Sequence, residues 1–285
     1  MLSVFSMRLK RLIILVLAAL VFSAPLQAEI YDRADVCHDY AAKSVAQFHA
    51  QQMLNCGFAD VRWNEDGAGQ QQWCRTVSPQ ISEKETQARA QLLMHCINPQ
   101  SSINLSDLTV SAEQLTQNMQ DAARRGAYER LQQLIAVGAN LTSQQSELMN
   151  NALVSYQLKT LNFLYGLGIP LQVGKLNPLD IYISYGSDAK VNAPDLQLLQ
   201  WLINHGVDPN QISSVHTPLT TAIENQNLPA LALLLEAGAS PNLDIYGKNC
   251  TTNMPLDFAI DKGNEAIIMA LRKAGAKTQA QCSRP

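Results

Sequence analysis

Cysteine and histidine are the side chains in this sequence with the most distinctive chemistry. They are adjacent at Cys37-His38 and His95-Cys96, and two Cys with two His form a donor set that Zn²⁺ accepts. The six cysteines are Cys37, Cys56, Cys74, Cys96, Cys250 and Cys282. In an oxidising compartment such an even number favours disulfides. Disulfides flanked by solvated histidines are therefore the preferred interpretation, and a metal-binding domain is the alternative.

Motifs for catalysis are absent from the sequence. It contains no G-x-S-x-G segment, no H-E-x-x-H segment, no phosphate-binding Gly-Lys loop and no dinucleotide-binding glycine pattern. We therefore predict that the protein is not an enzyme and that it uses no cofactor.

The first residues have the layout of a secretory signal peptide. A positive segment, residues 8–11, precedes an unbroken apolar run, residues 12–22, and Ala24 or Ala28 then offers a small residue for cleavage. The apolar run is shorter than the roughly 20 residues that a membrane-spanning helix needs. We predict a signal peptide over residues 1–28 and a periplasmic or secreted location, with an uncleaved N-terminal anchor as the alternative.

The charge of the chain after cleavage is expected to be mildly acidic. The full sequence has a formal net charge of −3, and removal of residues 1–28, which carry three positive and no negative charges, changes it to −6. An acidic chain without a cluster of Lys and Arg is a poor partner for nucleic acid or an anionic membrane. No second long apolar stretch follows, so we expect no stable membrane insertion after cleavage.

Residues 29–97 are predicted to form a small helical domain, followed by a polar linker at residues 98–111. Apolar residues from position 37 to 56 fall near one helical face, and capping boxes predict helix starts at Ser82 and Ser111. Trp63 and Trp73 are expected to cover the small core, with an exposed binding anchor as the alternative.

A domain of about 70 residues buries too little apolar surface for secure stability, so it needs covalent staples. Four cysteines allow three pairings. Antiparallel packing of two helices would bring Cys37 to Cys96 and leave Cys56 to pair with Cys74, which is the pairing that we favour. Cys250 and Cys282 are expected to form a third bond, around the last part of the chain.

From residue 112 onward the sequence repeats. A segment that begins with Leu and ends in Gly followed by Ala, Ile or Val occurs five times, with its glycine at Gly138, Gly168, Gly206, Gly238 and Gly275. Each glycine is expected to end a helix, because it adopts the left-handed conformation without strain from a Cβ atom. Prolines mark helix starts at Pro178, Pro218 and Pro255.

This pattern resembles the ankyrin repeat, which runs Thr-Pro-Leu-His, then Ala, a Gly in the middle, a Leu-Leu pair and Gly-Ala-Asp. The resemblance covers residues 112–281 as five units, of which the fourth, residues 217–242, matches best. The first unit lacks Thr-Pro, the second is degenerate and the third contains extra residues at 187–194. The family's His is replaced throughout, by Gln120, Asn150, Asp180, Thr220 and Asp257.

The resemblance implies an all-α fold. We expect an ankyrin-repeat solenoid of about five helix-pair units over residues 112–285, preceded by the disulfide-stapled helical domain. Trp201, Phe163 and Leu233 share one position of the second helices and are expected in the core.

The resemblance also implies a protein-binding scaffold with a concave groove and projecting fingers. The predicted binding residues, late in the first helices or in the longest finger, are Arg124, Arg125, Tyr185, Glu224 and Tyr246. Their partner would be one or more proteins, and an inhibitor or immunity protein is the more specific hypothesis. A small-ligand or metal sensor that acts through the Cys- and His-containing N-terminal domain is the alternative.

Overall fold

The computed structural model describes residues 33–171, 176–185, 196–213, 216–244 and 254–282. Within these ranges the fold is all-α, as predicted, and the chain forms helices joined by loops. The predicted signal segment, residues 1–28, lies outside the described residues. None of the helices in the described ranges is long and apolar enough to cross a membrane.

The helices follow one another without an intervening sheet in the described parts of the chain. They are α1 (33–53), α2 (Gly67–Thr76), α3 (Pro79–Ile97), α4 (Ala112–Arg124), α5 (Tyr128–Ala136), α6 (Gln145–Val154), α7 (Leu158–Gly166), α8 (Pro178–Tyr185), α9 (Leu196–Asn204), α10 (Pro218–Glu224), α11 (Leu228–Glu236), α12 (Pro255–Lys262), α13 (Glu265–Lys273) and α14 (Gln279–Cys282). A short 3-10 helix, Leu105–Thr109, lies between α3 and α4.

The chain divides into two compact units. The N-terminal unit contains the described residues 33–117 and 132–142, and the C-terminal unit contains 118–131 and the described residues from 143 onward. The division falls inside the first predicted repeat rather than in the predicted linker. The domain limits given above, after residues 28, 97 and 111, stay predictions.

Two disulfides join the first three helices of the N-terminal unit. Cys37 is bonded to Cys74, and Cys56 is bonded to Cys96. The predicted pairing of Cys37 with Cys96 and of Cys56 with Cys74 was therefore wrong. It assumed a hairpin of two helices, whereas the segment after residue 66 forms α2, and this additional helix carries Cys74 to α1.

The predicted third disulfide concerns the end of the chain. Cys282, in α14, is disulfide-bonded. Cys250 lies outside the described residues, so its pairing with Cys282 stays a prediction.

The two predicted capping boxes have different outcomes. Helix α4 begins at Ala112, and the hydroxyl oxygen of Ser111 accepts from the N–H of Gln114 at 3.2 Å, which confirms the helix start and the serine half of the second box. The first box was wrong, because α3 already begins at Pro79 and Ser82 donates its hydroxyl to the Pro79 carbonyl at 3.0 Å. Proline fits the first turn of a helix, so the helix begins one turn earlier than predicted.

Arg89 is fully buried in the N-terminal unit and connects three of its segments. Its Nε donates to Oε1 of Gln47 at 2.9 Å, its Nη2 donates to the Ser44 carbonyl at 2.7 Å, and its Nη1 donates to the Arg62 carbonyl. The guanidinium carbon lies 4.5 Å from the centroid of the Trp63 ring. Burial lowers the pKa of Arg89, and these hydrogen bonds offset the cost of removing a charge from water.

Helix α1 also contacts residues 132–142, which belong to the same unit. The Gln47 amide donates to the carbonyl of Ala136 at 2.8 Å, at the end of α5, where helix carbonyls have no partner within the helix. Gly138 has a φ of +105°, and a Cβ atom there would lie 2.8 Å from Cβ and 3.0 Å from Cα of Lys43. Glycine is therefore required at this position both for its conformation and for the close approach of α1.

Alanine substitutions at Gly138 and Gly238 separate these two requirements. Gly238 has a φ of +90° and no atom within 4 Å of a Cβ placed there, so the positive φ predicted for it is confirmed. Gly238→Ala should cost about 1 kcal/mol in unfolding free energy, from backbone strain alone. Gly138→Ala should cost about 2 kcal/mol, because the methyl group also meets Lys43. Chemical denaturation of both full-length variants measures the difference, and equal midpoints would contradict the contact.

The C-terminal unit is a stack of helix pairs. First helices α6, α8, α10 and α12 are neighbours in that order, and second helices α9, α11 and α13 form a parallel row. A leucine of each second helix is fully buried between the rows, at Leu164, Leu202, Leu234 and Leu271. Because a single pair cannot bury its apolar face alone, each pair depends on its neighbours for stability.

Two asparagines connect successive loops of this stack. Oδ1 of Asn210 accepts from the N–H of Ser240 at 2.7 Å, and its Nδ2 donates to the carbonyl of Gly238 at 3.1 Å. Asn242 makes the equivalent two bonds just beyond α13, at 2.8 and 3.1 Å. These backbone groups lie beyond helix ends, so the amides satisfy them and fix the spacing between adjacent helix pairs.

Candidate protein-binding surface

Four first helices, α4, α8, α10 and α12, end with a buried residue followed, two positions later, by an exposed one. The buried residues are Ala122, Tyr182, Ala222 and Ala259. The exposed residues are Arg124, Ser184, Glu224 and Asp261, and we call these four the first-helix row. Helices α8, α10 and α12 are neighbours in that order, so Ser184, Glu224 and Asp261 follow one another, whereas Val154, at the same position of α6, is half-buried.

The first-helix row carries charges of both signs. Arg124 forms an ion pair with Asp121 at 2.8 Å, and both side chains are about half exposed. Glu224 lies 3.9 Å from Nε2 of His216. Exposed pairs of this kind contribute only about 0–1 kcal/mol to stability, so a partner can exchange them for its own contacts at low cost.

The structure places three of the five predicted binding residues on the surface. Arg124, Arg125 and Glu224 are exposed in the C-terminal unit. Tyr185 is the last residue of α8, but its side chain is outside the described residues, as is Tyr246. Their membership of one contact surface stays a prediction.

The repeat position one residue after the first-helix row makes hydrogen bonds inside the stack in some of the repeats. Nδ2 of Asn225 donates to the carbonyl of Ile183 at 3.0 Å, and the hydroxyl of Ser155 donates to the carbonyl of Ala123 at 3.1 Å. Both bonds connect a first helix to the preceding one. Arg125 occupies the same repeat position but is exposed, so this position serves the stack in some repeats and faces solvent in others.

Asp180, at a position where ankyrin repeats have His, is buried between α8 and α10. Its Oδ1 accepts from the Thr221 hydroxyl at 2.9 Å, and its Oδ2 has no hydrogen-bond partner among the described residues. Burial raises the pKa of Asp180 to about 6, although the hydrogen bond from Thr221 and the nearby Ser213 and His216 act to lower it. The carboxyl group therefore titrates inside the stack rather than at the proposed contact surface.

An aromatic cluster on the second helices was not foreseen from the sequence. The ring of His205 lies 4.0 Å from that of Trp201 and 4.8 Å from that of Tyr165, between centroids. The Trp201 indole N–H donates to Oδ1 of Asn162 at 2.8 Å. Trp201, Phe163 and Leu233 were predicted in the core, but all three are only half-buried. The sequence signal for this cluster was the four-residue separation of Trp201 and His205, because residues four apart are neighbours on the surface of a helix.

The metal-binding alternative depended on free thiolates in the N-terminal domain. All four cysteines there are in disulfides, so none of them is a thiolate ligand. The structure thus gives no support to a zinc site built on Cys37-His38 and His95-Cys96.

Comparison with known families identifies the repeats. Residues 183–282 match the family model described as ankyrin repeats, three copies. This part of the chain is built of ankyrin repeats, as predicted, and it includes the helices from the end of α8 to α14. Residues 112–182, which contain the first two predicted units and the start of the third, lie outside the match. No curated protein matches the chain significantly.

Ankyrin repeats are scaffolds for protein–protein interaction and are typically not catalytic. Residues 183–282 therefore form a scaffold of the protein-binding class. The disulfides of the N-terminal unit favour an oxidising, non-cytoplasmic compartment.

Proposed function

We propose that this protein is exported and that its ankyrin repeats bind one protein partner through the first-helix row and the neighbouring fingers. The observation that carries the proposal is the exposure of four side chains at the ends of first helices, namely Arg124, Ser184, Glu224 and Asp261. Exposed side chains on several helices, with charges of both signs, suit an extended protein surface better than a small anion.

The proposed location is the periplasm or the cell exterior. The positive and apolar segments of residues 1–28 support export, and the disulfide bonds are consistent with the same compartment. Cleavage at Ala24 or Ala28 would leave the whole disulfide-bonded part in the mature protein.

An inhibitor or immunity role is the more specific proposal. The extra residues 187–194 and the long finger that contains Tyr246 depart from the ankyrin pattern. Insertions of this kind are what a dedicated partner would select, because they add contacts at one place in a repeat array. A toxic enzyme in the same compartment is the partner class that this role requires.

The test uses the full mature chain and a partner captured by it from its native compartment. Tyr185→Ala and Tyr246→Ala should each weaken binding by about 1–3 kcal/mol, because tyrosine and arginine dominate interface hot spots. Arg125→Ala and Glu224→Ala should alter affinity in the same direction, with a stronger dependence on salt. Isothermal titration calorimetry measures each affinity.

Matched controls are Met269→Ala and Glu236→Ala, at exposed positions of second helices. These should leave affinity unchanged, and all variants should keep the melting temperature and helical circular dichroism of the parent protein. If the first-helix and finger variants bind as tightly as the controls, the contact surface is elsewhere and the proposal fails.

A further inference from the structure

A surface pocket of about 380 Å³ lies in the N-terminal unit, where α1, α2 and α3 meet the loop at residues 57–66. This volume is in the range of ligand-binding clefts. It belongs to neither the ankyrin repeats nor the predicted metal site. Its wall combines an aromatic ring, an apolar rim and carboxylates.

The aromatic wall of the pocket is Trp73, whose side chain is 36 % exposed. Its ring centroid lies 5.4 Å from that of Tyr40, and the Tyr40 hydroxyl donates to Oε1 of Gln70 at 3.3 Å. The indole is therefore supported from behind by a buried residue and held in place. Trp63, by contrast, is buried and covers the core as the sequence predicted.

Val61 forms the rim of the pocket and is 94 % exposed. Other side chains therefore cover very little of Val61. Together with the partly exposed indole of Trp73, it presents apolar surface to water at this pocket. A partner that fills the pocket and extends past this rim would cover both residues.

The charged wall of the pocket has more carboxylates than cations. Oε1 of Glu85 is enclosed and has no hydrogen-bond partner among the described residues. The Arg62 Nε lies 3.7 Å from it but is closer to Asp60, at 3.1 Å. The other nearby cation, Arg89, donates to Gln47 and to two carbonyls instead. Glu85 is thus ion-paired with Arg62 but accepts no hydrogen bond at Oε1 among the described residues, and its side chain is 22 % exposed.

We propose that this pocket binds an Arg or Lys side chain of a partner protein, flanked by an apolar residue that covers Val61. A cation over the face of Trp73 gains a cation–π interaction, and the same group can donate to Glu85. The exposed rim offers an apolar contact to a second side chain, so the occupant that we propose is a peptide segment and not a free amine. An acidic segment would meet Glu85 and the exposed Asp66 and be repelled.

The probe is the peptide acetyl-Gly-Leu-Arg-Leu-Gly-amide, titrated into the full mature chain at low salt by isothermal titration calorimetry. Its matched control has citrulline, a neutral group of similar shape, in place of arginine. We expect saturable binding of the arginine peptide and at least about tenfold weaker binding of the citrulline peptide, since a tenfold change corresponds to the loss of one charged contact. Equal affinities, or no saturable binding of the arginine peptide at millimolar concentration, would overturn the proposal.

Protein variants locate the site of binding. Glu85→Gln and Val61→Ser should each weaken the arginine peptide several-fold, while Glu83→Gln and Ile81→Ser, exposed on α3, should not. Circular dichroism and the melting temperature establish that all four variants fold. If Glu85→Gln and Val61→Ser bind the peptide as the parent protein does, the peptide binds elsewhere and the assignment of this pocket is wrong.

Discussion

Replacement of Arg89 by methionine will lower the free energy of unfolding by about 3 kcal/mol. The change leaves three buried acceptors without their donor, namely Oε1 of Gln47 and the carbonyls of Ser44 and Arg62. Each unsatisfied buried acceptor costs about 1 kcal/mol or more. Methionine keeps most of the side-chain volume, so loss of packing against Trp63 contributes little.

Chemical denaturation of the full chain, followed by circular dichroism, measures this effect. Arg75→Met, at an exposed position of α2, is the matched control and should leave the midpoint unchanged. Removal of a buried charge also relieves the cost of its desolvation. A variant as stable as the control would therefore show that the hydrogen bonds of Arg89 only offset that cost and add no net stability.

Asp180→Asn will stabilise the chain at pH 8 but not at pH 4. Burial raises the pKa of Asp180 from its usual 3.8 to about 6 in the folded chain. A raised carboxyl pKa means that the folded state binds the proton more tightly than the unfolded state does. The favourable contribution of this proton to the free energy of unfolding is therefore fully present below pH 3.8 and is lost as the pH rises through about 6. Asparagine cannot ionise and so does not carry this penalty.

The stability difference between Asp180→Asn and the parent chain should grow by up to about 3 kcal/mol between pH 4 and pH 8, because one pKa unit corresponds to about 1.4 kcal/mol. Denaturation curves of both proteins across that range give the difference directly. Asp261→Asn, in the exposed first-helix row, controls for the removal of one negative charge. A difference between Asp180→Asn and the parent that stays constant with pH would show that Asp180 does not titrate in this window.

The repeat architecture could be predicted because its signals are local. A glycine that ends a helix and a proline that begins one act within a few residues, and Gly238 and Pro218 are found where the pattern predicts. Helix α2 was missed because its sequence begins Gly-Ala-Gly and then has three glutamines, which show no apolar period. The side chain of Asp66, which caps this helix, was the only local indication.

The disulfide pairing and the role of Arg89 could not be predicted in the same way. The pairing follows from the position of α2, so the missed helix led directly to the wrong bonds. Arg89 lies in a largely polar helix, and its burial results from carbonyls supplied by α1 and by the loop before α2. Backbone carbonyl acceptors cannot be recognised from the pattern of side chains in a sequence, because every residue has a carbonyl.

The candidate surface was predictable only in part. Exposure of Arg124 and Glu224 follows from the helical period, since both lie two residues after a buried alanine. The hydrogen bond from Asn225 to the carbonyl of Ile183 depends on how neighbouring helix pairs stack. The sequence of a single pair does not determine that arrangement.

The alternating disulfides have a consequence for how the chain matures. In the sequence, one cysteine of each bond lies between the two cysteines of the other bond. No two consecutive cysteines among these four are therefore native partners. If the chain is exported N-terminus first, Cys37 and Cys56 become available to an oxidant before either partner does. A bond between these two thiols must then be opened by attack of a later thiolate through a mixed disulfide. The yield of correctly bonded protein should thus depend on a disulfide isomerase of the host, more than on the supply of oxidant.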